Sequence, residues 1–194
     1  MPEFTTNYFD VNIPAWQELF TEASWPRSRA YRVVEVGSFE GRSARWIAEN
    51  LLTPGSELYC IDPWVNPETY ALFQRNIAEL PNAEAVRPIR QRSDRALLDL
   101  AAQGLIAELV YIDGCHHAPD VLTDLVLAWQ ILRPGGFIIC DDYLWEDAAC
   151  DAGDIRNRPK LAIDAFTTIF GRHIKIPGKL PIRQVVLQKR LQPG

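Results

Sequence analysis

The 194-residue chain is short of several things, and each shortage excludes a class of function. No apolar run approaches the roughly 18–20 residues that span a bilayer. The first residues include Glu3 and Asp10 and lack a basic-then-apolar leader pattern, so a cytoplasmic location is expected. Positive charge is scarce: 20 Lys and Arg stand against 25 Asp and Glu, a net charge of −5. Tight binding to a phosphate backbone or an anionic membrane needs a basic face, so neither nucleic acid nor membrane is expected as a partner. Cysteine is rare. Cys60, Cys115, Cys140 and Cys150 match no zinc or redox spacing, and a disulfide framework does not suit this length and composition. Cys60 and Cys140 fall inside apolar runs and read as small core residues. Repeats, low-complexity tracts and linkers are missing as well.

What remains is ordinary globular material. With 47% hydrophobic and 23% charged residues, the chain can fill one full core. It alternates strand and helix. Ile13–Ala23 reads as a helix with Pro14 in its first turn. Tyr31–Val36 is strand one, and Gly41–Leu52 is a helix with Ala44, Ile47, Ala48 and Leu51 on one face. Glu57–Ile61, Ala85–Ile89, Ala107–Ile112 and Phe137–Cys140 are further strands. Helices are expected at Pro67–Leu80, Ser93–Gln103 with Ser93 as N-cap, Ala118–Leu132 and Lys160–Phe170. His173–Ile176 and Ile182–Gln188 lie too near each other for a helical crossover, so they should pair as a hairpin. The first five strands are continuous apolar runs, as in a buried parallel sheet.

One stretch carries most of the functional signal: Val33-Val34-Glu35-Val36-Gly37-Ser38-Phe39-Glu40-Gly41-Arg42-Ser43. A strand ends in a glycine, and a second glycine opens a helix. That turn lets backbone amides approach a nucleotide-like ligand. Glu35, inside the strand, would repel a pyrophosphate. It suits a cationic ligand without phosphate, a description that S-adenosylmethionine fits. The other strand ends add polar groups to the same rim. Asp62 stands where a carboxylate bonds ribose hydroxyls, or caps a turn before Pro63. Trp64 covers an adenine or packs, and Ser93 touches the adenine region or caps its helix. Asp113, Asp141 and Asp142 form an acidic trio that needs a cation or bound protons; hard oxygen ligands suit Mg²⁺. His116 and His117 follow strand four, and an imidazole there can serve as general base. Leu144–Pro159 is read as a lid or acceptor-binding loop.

The ordered set of these motifs, with Leu132-Arg133-Pro134-Gly135-Gly136 and Asp141-Asp142-Tyr143, resembles class I S-adenosylmethionine-dependent methyltransferases. Within them it resembles the family 24 group related to macrocin-type and catechol-type O-methyltransferases. The resemblance implies an α/β fold: a Rossmann-like three-layer sandwich around a mostly parallel seven-stranded sheet with an antiparallel C-terminal hairpin. It implies an N-terminal helix or lid segment over 1–30 and a single methyltransferase domain over 31–194. Glu35, Gly37, Ser38, Gly41 and Ser43 would line the methionine and loop part of the cofactor, with Asp62, Trp64, Ser93, Asp113 and His116 completing its site. Asp113, Asp141 and Asp142 occupy the positions that hold Mg²⁺ in metal-dependent relatives. The base of the macrocin-like relatives is replaced here by Cys115, and the lysine of the catechol type by His116. His116 is therefore the expected base, with Asp113 beside it. The expected reaction is in-line O-methylation of a small hydroxylated acceptor, in a homodimer by fold-level analogy.

Two other classes compete. A dinucleotide-dependent oxidoreductase would want Gly-x-Gly-x-x-Gly, yet nothing glycine-like lies between Gly37 and Gly41. A non-catalytic binding module on the same fold would show an exposed apolar patch and no open acceptor cavity.

Overall fold

The computed structural model describes residues 2–22, 25, 28–146, 154–177 and 183–191. A 3-10 turn at Tyr8–Asn12 leads into α1 (Ile13–Glu22). Then come β1 (Arg32–Val36), α2 (Arg42–Asn50), β2 (Glu57–Asp62), α3 (Pro67–Ala78), β3 (Val86–Arg90) and α4 (Ser93–Ala102). The second half holds β4 (Ala107–Ile112), α5 (Ala118–Ile131), β5 (Leu132–Cys140), α6 (Pro159–Phe170), β6 (Ile174–Lys175) and β7 (Val185–Lys189).

The strands form one seven-stranded sheet in the order β3-β2-β1-β4-β5-β7-β6. The first five run parallel. β7 is antiparallel to both β5 and β6, so the expected closing hairpin is present. β4 is buried along its whole length, which suits its mostly apolar sequence; the exception, Glu108, pairs with Arg29 at the strand's start. β3 lies at the edge, where Pro88 removes no needed hydrogen bond.

Helices cover both faces. Trp16, Phe20, Trp46, Ile47 and Phe73 from α1–α3 pack on one face with Val33, Leu109 and Tyr111. Leu97, Leu125, Ala128, Ile163 and Phe166 from α4–α6 pack on the other with Val34, Val110 and Ile138. The segment expected as an N-terminal helix or lid thus contributes to the core: Phe9 meets Tyr111, and Trp16 meets Trp46 and Tyr111, edge to face, while Phe9 lies tilted on Trp46.

Two expectations change. β5 begins at Leu132 instead of Phe137, because Leu132 already pairs with Ala107 before the register shifts. Gly135, at φ +79°, carries the chain through that irregularity. Ser93 is the first helical residue of α4, and Arg92 holds the N-cap position without a side-chain cap bond. The expected loop over 144–159 falls partly outside the described residues, as do Ala23, Cys150 and Ile182.

Candidate active site

The chain order reverses direction in the sheet between β1 and β4, and crevices form beyond the strand ends at such a switch point. A cavity of about 940 Å³ opens there. Gly37, Ser38, Ser43, Asp62, Ser93, Asp113, His116, Asp141 and Asp142, all expected from sequence, line it.

The loop after β1 is held by close packing. Gly37 has φ +89°, and a Cβ at this position would lie 2.0 Å from the Asp113 carbonyl oxygen. Only glycine permits that approach. Gly41, also left-handed at φ +84°, starts α2 against the Phe73 ring. The Ser38 hydroxyl is buried on the cavity wall and has no hydrogen-bond partner of good geometry among the described residues. Such an orphan group suits a ligand that brings its own donor or acceptor. Asp62 accepts from Phe39 N at 3.0 Å and Trp64 N at 2.7 Å. Those bonds fix the carboxylate at the cavity edge with lone pairs to spare for a diol.

Three expected cofactor residues do not line the cavity: Gly41, Trp64 and Glu35. Trp64 is 1% exposed; its indole N–H donates to the Phe39 carbonyl and its ring packs on Tyr70 and Phe73. It supports the loop from beneath. Glu35 is fully buried on the face shared with Tyr111 and Cys60. No donor among the described residues satisfies its oxygens with good geometry, although the Ser38 and Ser43 hydroxyls and the Cys60 thiol lie close. Burial pushes its pKa up to about 7, and those neighbours offset only part of the push.

The acidic trio is not equivalent. Asp141 lines the cavity but is engaged by internal donors. Its Oδ2 accepts from Gln184 Nε2 at 2.7 Å, Asn12 Nδ2 at 3.2 Å and the Tyr111 hydroxyl, while Oδ1 accepts from Asp142 N at 2.8 Å. Trp16 Nε1 donates to Gln184 Oε1 at 2.8 Å, which ties the cluster to α1. The side chains that do gather are Asp113, His116 and Asp142, with ligand atoms within 4.8 Å of one another. Asp142, at φ +55°, takes a left-handed turn that aims its carboxylate at His116 Nε2, 2.8 Å away. The His116 ring stacks on Trp145 at 4.3 Å.

Tyr111 joins the two groups. Its hydroxyl lies 2.9 Å from Asp113 Oδ2 and also contacts Asp141. One hydroxyl proton serves only one carboxylate, so the second contact calls for a proton on an aspartate. Burial, and then the neighbouring carboxylates, raise Asp113 well above the ordinary range, and Asp141 rises mainly from burial.

Sequence reasoning missed Tyr111, Asn12, Gln184, Arg183 and the stretch Thr6–Asn12, of which Thr6, Asn7, Tyr8, Phe9, Val11 and Asn12 line the cavity. Tyr111 left a signal, a hydroxyl in a strand that is apolar apart from Glu108. The others left none, because a long chain separation hides their contact with the site.

A family model described as a methyltransferase domain matches residues 34–143, more than half of the chain. An uncharacterised protein of Acanthamoeba polyphaga mimivirus is 30% identical over 115 residues, 57% of this chain and 50% of the relative. The chain therefore spans about half the length of that curated relative. Among solved structures, the O-methyltransferase TomG of Streptomyces achromogenes, involved in tomaymycin synthesis and solved with S-adenosylmethionine, superposes with a TM-score of 0.70 at 20% identity. The match covers 91% of this chain and 79% of TomG. A putative rRNA methylase from Clostridium thermocellum superposes with a TM-score of 0.69 at 13% identity, over 96% of this chain and 100% of that one. At these identities the likeness speaks for the shared fold.

Proposed function

The chain belongs to this methyltransferase family, and we propose that it is an S-adenosylmethionine-dependent O-methyltransferase acting on a small hydroxylated molecule. One observation carries the reading: a single cavity joins the Gly37–Phe39 loop and Asp62 at one side to the Asp113, His116 and Asp142 group at the other. An open cavity of about 940 Å³ lies near the top of the roughly 300–1,000 Å³ range for ligand sites, room for a cofactor and an acceptor. A binding module without chemistry has no need of it. The net charge of −5 and the carboxylate-lined wall disfavour an RNA acceptor.

The residues fit S-adenosylmethionine. Asp62 would hold the ribose, and the Ser38 hydroxyl would find its missing partner on the methionine part. When bound, the cofactor supplies an electrophilic methyl group on a sulfonium. The chain's own task is to align an acceptor oxygen behind that methyl and to remove its proton. His116 would accept the proton. Asp142 sets the ring orientation through Nε2 and stabilises the imidazolium, and Trp145 holds the ring face.

Of the expected trio, Asp113 and Asp142 would be the readiest to hold Mg²⁺, because Asp141 Oδ2 already accepts from three internal donors. Mg²⁺ commonly takes one or two carboxylates and completes its shell with water and substrate oxygens, so the pair suffices. An ion there would lower the pKa of the acceptor hydroxyl.

The deciding experiment is calorimetric titration of chelator-stripped protein with S-adenosylmethionine, with and without Mg²⁺. Micromolar binding supports the cofactor, and a gain with Mg²⁺ supports the Asp113–Asp142 pair. No binding in either run removes the methyltransferase reaction from the account.

A further inference from the structure

The cavity wall carries three arginines: Arg42, Arg92 and Arg183. Two are already neutralised. Arg42 makes a bidentate pair with Asp10, and Arg92 reaches Asp94 and Asp120. Arg183 makes no side-chain ion pair or hydrogen bond among the described residues, and its side chain is exposed. Its position is nonetheless fixed by backbone. Tyr143 N donates to the Arg183 carbonyl at 2.9 Å, just past the last β5–β7 pair, Cys140 and Val185. That bond sets Arg183 beside Tyr143, the residue after Asp142, and its neighbour Gln184 anchors Asp141.

The Arg183 guanidinium, without a partner among the described residues, shares the cavity with Asp62, Asp113, Asp120, Asp141 and Asp142. A neutral acceptor has no use for it. An anionic acceptor would be repelled from this wall unless a cation met it, and a guanidinium fork matches a carboxylate in two parallel hydrogen bonds. The side chains of Tyr8 and Val11, 80% and 60% exposed, line the same cavity with Trp145 and offer apolar surface to the body of such a molecule.

We propose that the acceptor is a hydroxylated carboxylic acid whose carboxylate pairs with Arg183 while its hydroxyl lies at Asp113, His116 and Asp142. The proposal rests on the methyltransferase reading of the cavity. It adds a substrate class and a residue that selects it.

The test is binding to the intact chain saturated with S-adenosylhomocysteine. The probes are 3,4-dihydroxybenzoate and 3,4-dihydroxybenzamide, which differ in charge but little in shape. The acid should bind more tightly than the amide by roughly ten- to a hundred-fold, the range of a charge-assisted hydrogen-bonded contact. Arg183→Gln should erase that difference, and Arg183→Lys should keep part of it. An acid that binds no better than the amide, or a preference that survives Arg183→Gln, overturns the proposal and leaves the cofactor reading intact. So does failure of both probes to bind the loaded protein. If S-adenosylhomocysteine itself does not bind, the methyltransferase reading fails first and takes the proposal with it.

Discussion

The sheet face under α1–α3 is aromatic and the face under α4–α6 is largely aliphatic. On the first, Phe9, Trp16, Phe20, Trp46, Trp64, Phe73 and Tyr111 share space with buried Glu35, Asn12 and Gln184. On the second, Val, Leu, Ile and Ala dominate around Leu97, Leu125 and Ile163. The difference separates scaffold from site. Aliphatic packing is non-directional and supports the sheet wherever volumes match. The aromatic face carries a directional chain, Trp16 to Gln184 to Asp141 to Tyr111 to Asp113, that ends in the cavity. Damage to one face should lower stability alone, and damage to the other should reach the chemistry.

The largest effect should fall on the loop where both faces meet the cavity. Gly37→Ala puts a methyl group against the Asp113 carbonyl in a left-handed conformation. The backbone conformation alone costs about 1–3 kcal/mol, and the clash forces the loop to move. Binding of S-adenosylmethionine should be lost in calorimetry and the melting temperature should fall. Retained micromolar affinity would mean the loop does not shape the site.

Leu125→Ala tests the scaffold face. The side chain is completely buried on α5, and its removal should cost about 3–5 kcal/mol in denaturant unfolding. Cofactor affinity of the folded fraction should stay at the wild-type value. A parallel loss of affinity would break the distinction between the faces.

Glu35→Gln probes the aromatic face by pH. The folded pKa of about 7 lies above the usual 4.5, so the native state holds the extra proton across that interval. Stability therefore falls as pH rises from about 4.5 to about 7 and stays lowered above it. A shift of this size corresponds to about 3 kcal/mol. The variant should match wild type near pH 4 and exceed it at pH 8 in urea titrations. Equal stability of the two proteins at both pH values would show that Glu35 is neutralised by a partner.

Tyr111→Phe removes one oxygen and keeps the ring. Stability should drop by about 1–2 kcal/mol, since two carboxylates lose a shared donor. Turnover should fall further than that figure implies, and its pH profile should move, because Asp113 and Asp141 then face each other without the hydroxyl. A change in stability with an unaltered pH profile would confine Tyr111 to the core.

The contrast between the faces also explains what could be read from sequence. Aliphatic helices announce themselves by spacing: Val121 and Leu125 mark α5, and the mostly apolar Ala107–Ile112 marks β4. The strand-end residues Gly37, Asp62, Asp113, His116 and Asp142 were legible because the fold delivers strand ends to one rim. Trp64 lies beneath the cavity, and Asp141 on its wall faces internal donors, for a physical reason. Sequence position brings a residue to the rim, but the direction of its side chain depends on left-handed turns at Trp64 and Asp142. Glu35 shows the same limit one step inward, since β pleating turns it into the core two residues before the glycine. Asn12 and Gln184 contact Asp141 across separations of 129 and 43 residues, which no local pattern encodes.

The smallest effect on stability should come from the N-terminal segment that the aromatic face anchors. Asp10 and Arg42 form a bidentate pair, with Nε to Oδ1 at 2.6 Å, and both side chains are about one-third exposed. Solvent screening limits such a pair to roughly 0.5–1 kcal/mol, so Asp10→Asn should barely move the melting temperature. The segment is also held by Thr5 on Glu40 and Glu3 on Asn76, and Phe9 and Trp16 bury its far end. It should therefore stay in place on average while its cavity-lining residues Thr6–Phe9 loosen. Affinity for S-adenosylmethionine should weaken by about two- to five-fold, in line with the lost pair. High salt should produce the same weakening in the wild type and little further change in Asp10→Asn. If salt weakens both proteins equally, the pair does not hold the segment over the cavity. The aromatic packing alone then does so.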